Sequence, residues 1–262
     1  MGTILELQGV SMSFGGLKAV DNLSFSVQDN EIVSIIGPNG SGKTTTFNVI
    51  SGLYEPDSGD ILLKDESVAG LRPDQVHDKG ISRTFQSLRL FSNMSVLENV
   101  LVGMHSVTNA GLVASMLRLP SVRREEKAMR EKAQEILGMF PGRFSGPRQQ
   151  QPAFSLSYAN RRRLEIARAL ASDPTLLLLD EPVAGMNPME SHEVMEQIKL
   201  LRDRGYTILM IEHDMHVVEG VSDRVIAMDH GVKIAEGTYN EVANDPQVVE
   251  AYLGKRATEA TA

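Results

Sequence analysis

The eight residues GPNGSGKT, Gly37 to Thr44, constrain this chain more than any other stretch. They follow an apolar run, EIVSIIG from Glu31 to Gly37, and precede a segment of helical period from Lys43 to Ile50. A GxxxxGK[ST] pattern between strand and helix predicts a loop whose glycines let successive backbone N–H groups converge on one anion. Its four fixed positions recur by chance in roughly one chain of this length in a hundred, before the flanking strand and helix are demanded. The plain alternative is a glycine turn feeding a helix. Converging amides, the positive end of the following helix and a lysine together suit a triphosphate. Gly37, Asn39, Gly40, Ser41 and Gly42 would form the cradle, and Lys43 would set a charge between the β- and γ-phosphates. Thr44 offers a hydroxyl to Mg²⁺, and Thr45 continues the helix toward the α-phosphate.

A second feature supplies what a phosphate loop lacks for hydrolysis. LLLLDEP, Leu176 to Pro182, is a buried-strand run that ends in two carboxylates and a proline, which cannot donate to a ladder. Adjacent strand side chains point to opposite faces, so Asp180 and Glu181 are assigned different roles. Asp180 is expected in the Mg²⁺ shell, and Glu181 is expected to orient and deprotonate the attacking water. A solvated acidic turn is the alternative.

Apolar strand-length runs alternate with helical segments: TLLLLD is followed by Pro188 to Arg204 and then YTILMIEH, the pattern of buried parallel strands with crossover helices. Thr3 to Val27 and Asp60 to Lys64 look instead like alternating antiparallel strands, so a mixed α/β sheet is predicted. From Val96 to about Phe140 the strand signals stop, and REEKAMREKAQEILGMF has helical spacing, which predicts an inserted helical subdomain. Pro141 to Pro152 is expected as loop, and the tail after Lys255 as a frayed end.

Composition removes competing classes. Lys+Arg 26 against Asp+Glu 34 gives a net charge of −8, which argues against broad binding to nucleic acid or anionic membrane. Without cysteine there is no disulfide, thiol nucleophile or Cys-ligated zinc, and no two of the six histidines have HExxH spacing. No apolar run approaches the roughly 18 to 20 residues of a membrane span, so any membrane role is expected to come through a partner.

With the phosphate loop and the Asp180–Glu181 pair, several further motifs resemble those of the ATP-binding-cassette ATPases over nearly the whole chain. Gln86, in RTFQ, looks like the Q-loop glutamine, which contacts Mg²⁺ and water and links the catalytic core to the helical insertion. His213, in MIEHD, looks like the switch histidine that bonds the γ-phosphate. Phe14, in SMSFGG, resembles the aromatic residue that stacks on adenine, with a core role as the alternative. LSYAN, Leu156 to Asn160, stands where the family usually has LSGGQ. Ser157 there is well placed as an N-cap whose hydroxyl and helix-terminal amides face a γ-phosphate. Tyr158 and Ala159 replace two glycines, so close backbone approach, Ala159 included, requires negative φ angles. Arg161, Arg162 and Arg163 read chiefly as a solvated face on a first helical turn, and Asn187 in AGMN stands where many members have Asp.

The resemblance implies an α/β fold, a P-loop NTPase (RecA-like) core with a mixed sheet, an N-terminal antiparallel β subdomain and an inserted α-helical subdomain. It places the first part of the core in residues 1–86, the helical subdomain in 87–157 and the rest of the core in 158–262. It implies ATP and Mg²⁺ as ligands and two ATPs sandwiched in a head-to-tail dimer, with itself or a sister cassette. LSY, AGMNP, MIEHDM and EGTYNEV…VVEAYLG are similar to the branched-chain amino acid importer ATPases of the Liv type. That similarity implies separate permease subunits, indirectly a solute-binding protein, and a peripheral place on the cytoplasmic face of the inner membrane. Leu88 to Phe91, with Met94, would receive permease helices, a core role for Leu90 and Phe91 being the alternative. A soluble regulator or nucleic-acid-linked motor of the same ATPase type is the second reading of function.

Overall fold

The computed structural model describes residues 2–104 and 120–253. The expected frayed tail after Lys255 and part of the expected helical insertion, 105–119, lie outside the described residues. The chain divides into two compact units: one comprises 1–83, 175–182 and 198–262, the other 84–174 and 183–197.

In the first unit, β1 (Thr3–Phe14) and β2 (Leu17–Gln28) pair antiparallel, β1 also pairs antiparallel with β4 (Ser58–Leu63), and β4 with β5 (Glu66–Ser67). These antiparallel strands form a four-stranded sheet of their own, in the order β2-β1-β4-β5. The second sheet has six strands. In it β3 (Ile32–Ile36), β6 (Ile81–Arg83), β7 (Leu176–Asp180), β8 (Thr207–Ile211) and β9 (Arg224–Asp229) run parallel. β10 (Val232–Gly237) adds an antiparallel edge, giving the order β10-β9-β3-β8-β7-β6. Every residue of β3, β7 and β8 is buried, which is why these strands read as continuous apolar runs. The helices are α1 (Lys43–Ile50), α2 (Pro73–Asp78), α7 (Met215–Val221), α8 (Tyr239–Ala243) and α9 (Pro246–Leu253). One core gathers Leu5, Leu7, Val20, Val33, Phe47 and Leu178, and a smaller cluster joins Ile36 to Val225, Val242 and Val248.

The second unit is helical: α3 (Val96–Gly103), α4 (Pro120–Gly138), α5 (Tyr158–Leu170) and the first ten residues of α6 (Pro188–Asp203). α3 packs on α4 and α5, and a capping box between Ser95 and Glu98 starts it. The expected loop Pro141–Pro152 contains a 3₁₀ turn at Gly146–Gln150. Proline at the start of a helical turn is pre-set for it, since its missing N–H would be an orphan there in any case.

Candidate functional site

The phosphate loop begins where β3 runs out. Gly37 adopts φ +149°, and a side chain there would drive a Cβ to 2.1 Å from the Met228 carbonyl oxygen. Gly42, at φ +101°, is the N-cap of α1, and a Cβ on it would lie 2.3 Å from the Ala19 carbonyl oxygen. Only glycine meets both demands, a left-handed backbone and no room behind it. Two hydrogen bonds tie the loop to its wall: Gly231 N–H donates to the Ser41 carbonyl (3.1 Å) and Asp21 N–H to the Gly231 carbonyl (2.9 Å). Gly42 brings no side-chain cap to α1. The amides of Lys43, Thr44 and Thr45 are therefore first-turn donors with no intrahelical acceptor, the arrangement that binds anions at helix N-termini. Asn39, Gly40 and Thr44 are exposed, Thr45 is half-buried and Ser41 is buried.

Lys43 is 8% exposed, and its ammonium donates to the carbonyls of Gly37 (2.7 Å) and Pro38 (2.9 Å) and, at 3.4 Å, to Ser41 Oγ. Burial holds its pKa below the ordinary lysine value, against the pull of Glu181 and Asp180. A phosphate entering here exchanges three neutral acceptors for anionic ones, a gain in charge-assisted hydrogen bonding.

The two carboxylates separate, for a reason other than strand alternation. Asp180 ends β7, but Glu181 leaves the strand with φ +49°, its N–H still donating to the Ile211 carbonyl at 3.0 Å. Left-handed backbone at a non-glycine residue is costly and clusters at functional positions. Asp180 is buried, with Oδ2 2.9 Å from Arg83 Nη2, and both side chains are at most 6% exposed. Arg83 also donates to Asn48 Oδ1 (2.7 Å) and Ser51 Oγ (2.9 Å) and lies over the Phe47 ring at 5.4 Å. Motif reasoning had no signal for this buried cation, because nothing near Arg83 in sequence reveals Asp180.

His213, 62% exposed, has Nδ1 3.7 Å from Glu181 Oε1, so the side chains adjoin without a hydrogen bond. Beneath it the wholly buried Glu212 accepts the N–H groups of His213 (2.9 Å) and Asp214 (3.3 Å), fixing the backbone of the turn. Phe14 is exposed and meets Tyr54 edge-to-face at 5.2 Å, two aromatic faces available to a flat ring. Tyr54 carries no motif that would have flagged it.

Lys43, Asp180, Glu181 and His213 thus gather at the C-terminal ends of parallel strands of one sheet, where α/β folds bind ligands. The residues present fit Mg²⁺. Among the described residues no group of three or more His, Cys, Asp or Glu could hold a metal. The Thr44 hydroxyl and the Asp180 carboxylate are hard oxygen donors, too few for a protein-only cage but suited to a cation that completes its shell with phosphate and water.

The second unit carries the rest. Gln86 is exposed in an irregular segment after β6. Ser157 is the N-cap of α5 and accepts the Asn160 N–H at 3.3 Å, while Tyr158 and Ala159 open the helix with negative φ. The arginine triplet departs from expectation, because Arg162 and Arg163 are buried at 2% and 1% exposure. Arg163 pairs with Glu193 at 2.8 Å and donates to Gln197 and Asn160, and Arg162 pairs with Glu165 at 3.0 Å. Partners on α6 and within α5 turn what reads as a solvated face into a core network. Asn187 is the N-cap side chain for α6: its Oδ1 accepts the Glu190 N–H (3.0 Å), and Glu190 Oε2 accepts the Asn187 N–H (3.2 Å). Phe91 and Met94 are exposed and Leu90 is half-buried, so Phe91 has no core role.

Comparison with known proteins adds an independent line. The family model described as "ABC transporter" matches residues 20–184, and "Branched-chain amino acid ATP-binding cassette transporter" matches residues 232–258. The chain is 44% identical over 253 residues to the high-affinity branched-chain amino acid transport ATP-binding protein LivG of Escherichia coli K12, covering 96% of this chain and 98% of that one. It is 41% identical over 258 residues to the corresponding BraF protein of Pseudomonas aeruginosa, with coverage of 96% and 98%. The ADP conformation of an ATP-binding cassette from an ABC transporter superposes with TM-score 0.84 at 34% identity, covering 97% of this chain and all of the other. A dimeric cassette in a post-hydrolysis state, bound to ADP and Pi, superposes with TM-score 0.73 at 26% identity, covering 90% and 99%.

Proposed function

The chain belongs to the ATP-binding subunits of ABC transporters, and from that premise we propose that it hydrolyses ATP to power uptake of branched-chain amino acids through separate permease subunits. The observation that carries the hydrolytic part is Glu181, held in left-handed backbone at a strand end beside His213 and within electrostatic reach of Lys43. A carboxylate so placed, near enough to the phosphate-loop lysine to act on its charge, is suited to serve as a base there.

In this reading, the backbone amides from Gly40 to Thr45, with Gly37, Asn39 and Ser41 shaping the loop, wrap the phosphates of ATP. The Lys43 ammonium leaves its loop carbonyls for the β- and γ-oxygens. Phe14, with Tyr54 beside it, stacks on the adenine. Thr44 and Asp180, joined by Gln86, would hold Mg²⁺, which when bound neutralises charge between the terminal phosphates. Glu181 orients a water in line with the leaving oxygen and takes its proton, and His213 bonds the γ-phosphate. Ser157, with the helix-terminal amides at Ala159, serves the phosphate of a second cassette, so turnover requires a head-to-tail dimer of two copies or of this chain with a sister chain. The family match at residues 232–258 and the LivG and BraF similarity support the solute class.

Among the described residues no helix is long and apolar enough to cross a membrane. Attachment to the cytoplasmic face through permeases is the corresponding proposal, with Phe91 and Met94 in the docking patch. Proteoliposomes holding the permeases and this chain, supplied with solute-binding protein and internal MgATP, should accumulate labelled leucine. Accumulation that is equal without ATP, or ATP hydrolysis indifferent to leucine, would defeat the proposal.

A further inference from the structure

The segment from Phe85 to Phe91 has no ladder or helix to absorb its backbone polar groups, so its course depends on side chains that bond them. Asn99 of α3 holds Phe91, accepting its N–H at 3.0 Å and donating to its carbonyl at 3.1 Å, and one face of α5 supplies the side chains for Phe85 to Arg89 at a spacing of three residues. Arg162 donates to the carbonyls of both Phe85 and Gln86. Glu165, 1% exposed, accepts the Arg89 N–H at 3.3 Å while its other oxygen holds Arg162 at 3.0 Å. Arg168 donates to the Arg89 carbonyl and places its guanidinium 5.9 Å from the Phe91 ring centre. The Arg89 guanidinium in turn covers the Phe85 ring at 4.5 Å.

We infer that Arg162 is a positioning residue: its guanidinium fork ties the Gln86 loop to the helix whose N-cap is Ser157, so that Gln86 and Ser157 keep one fixed relation. A planar, five-donor cation is the side chain able to hold two successive carbonyls and a carboxylate together, whereas lysine offers only a point charge. Glu165 serves the tie twice, neutralising Arg162 in the interior and fixing the loop at Arg89. Arg168 extends the tie toward the patch proposed to meet permeases, since it bonds the Arg89 carbonyl and lies 5.9 Å from the Phe91 ring, while the Phe91 backbone itself rests on Asn99 of α3. This inference rests on the reading of Gln86 and Ser157 as phosphate-site residues.

The test uses the full-length chain and MgATP. Arg162→Met alone would strand a buried carboxylate, so the principal variant is Arg162→Met/Glu165→Met, which replaces the whole pair by apolar groups and spares the fold. Two readouts are taken. Hydrogen exchange should accelerate about tenfold for the amides of 86–90 and stay unchanged along α5 and at Phe91, which Asn99 holds. Steady-state kinetics should show kcat reduced about tenfold with KM and ATP affinity within twofold, and Arg162→Lys should recover part of kcat. Unchanged exchange at 86–90 overturns the tie, and faster exchange with wild-type kcat overturns the positioning role. Loss of kcat and ATP affinity together, with a lowered unfolding midpoint, overturns it too, as general damage. A wild-type chain that fails to hydrolyse ATP defeats the preceding proposal instead, and exchange at 86–90 still reports on the tie.

Discussion

Replacing Arg83 by methionine should destabilise the protein by far more than an ordinary surface change, and the structure sets the size. Arg83 and Asp180 are 6% and 5% exposed at 2.9 Å, so the variant leaves a desolvated carboxylate without its guanidinium. Breaking a buried pair from one side costs about 3–5 kcal/mol. Asn48 and Ser51 each lose a donor, about 0.5–1.5 kcal/mol apiece. Ser51 loses least, because its hydroxyl keeps the Phe47 carbonyl at 2.7 Å. Lys43, which Asp180 raises electrostatically, retains part of the compensation and draws the sum toward the lower end. The total is about 4–6 kcal/mol, a large share of the roughly 5–15 kcal/mol that holds a typical domain together. At about 2–4 °C per kcal/mol, the thermal midpoint should fall by roughly 8–24 °C. Urea and thermal unfolding followed by circular dichroism measure it, with Arg83→Lys as a control that keeps the charge and loses the fork. A loss below about 1 kcal/mol would mean that the pair behaves as a solvated one, and the reasoning from burial would fail.

Other predictions concern the site and its supports. Glu181→Gln should bind MgATP, lose turnover and accumulate a dimer on gel filtration; wild-type turnover would remove its assignment as base. Asn187→Ala should cost about 1 kcal/mol in urea unfolding and Asn187→Asp almost nothing, since both Asn and Asp cap α6; equal losses would deny the cap. Burial lowers the Lys43 pKa, so in the window just below the ordinary lysine range the unfolded chain binds more protons than the folded one. Stability contributed there rises with pH. The difference in unfolding free energy between wild type and Lys43→Met should carry that slope, and a flat difference would contradict the assigned burial.

Legibility followed the range of the interactions. The phosphate loop, the strand-end carboxylates and the helical insertion were readable because each is a local pattern: glycines where φ is positive, apolar runs where strands are buried on both faces, and 3.6-residue spacing beyond Val96. Long-range pairing was not readable. Arg83 meets Asp180 across 97 residues, and Arg163 finds Glu193 on another helix, so two of three arginines read as solvated are buried. Arg162 with Glu165, three residues apart, was within sight, but spacing alone does not say whether such a pair faces water or a loop. Glu181 shows a subtler failure, since its separation from Asp180 was expected from strand alternation and arises from a left-handed turn after the strand has ended.

Everything proposed depends on whether residues 37–45 grip a triphosphate. Isothermal titration of MgATP into the wild-type chain and into Lys43→Ala measures that grip. The account predicts saturable one-to-one binding by the wild type and at least a tenfold weaker, or absent, response from the variant. Equal affinities, or no binding by the wild type, would contradict it.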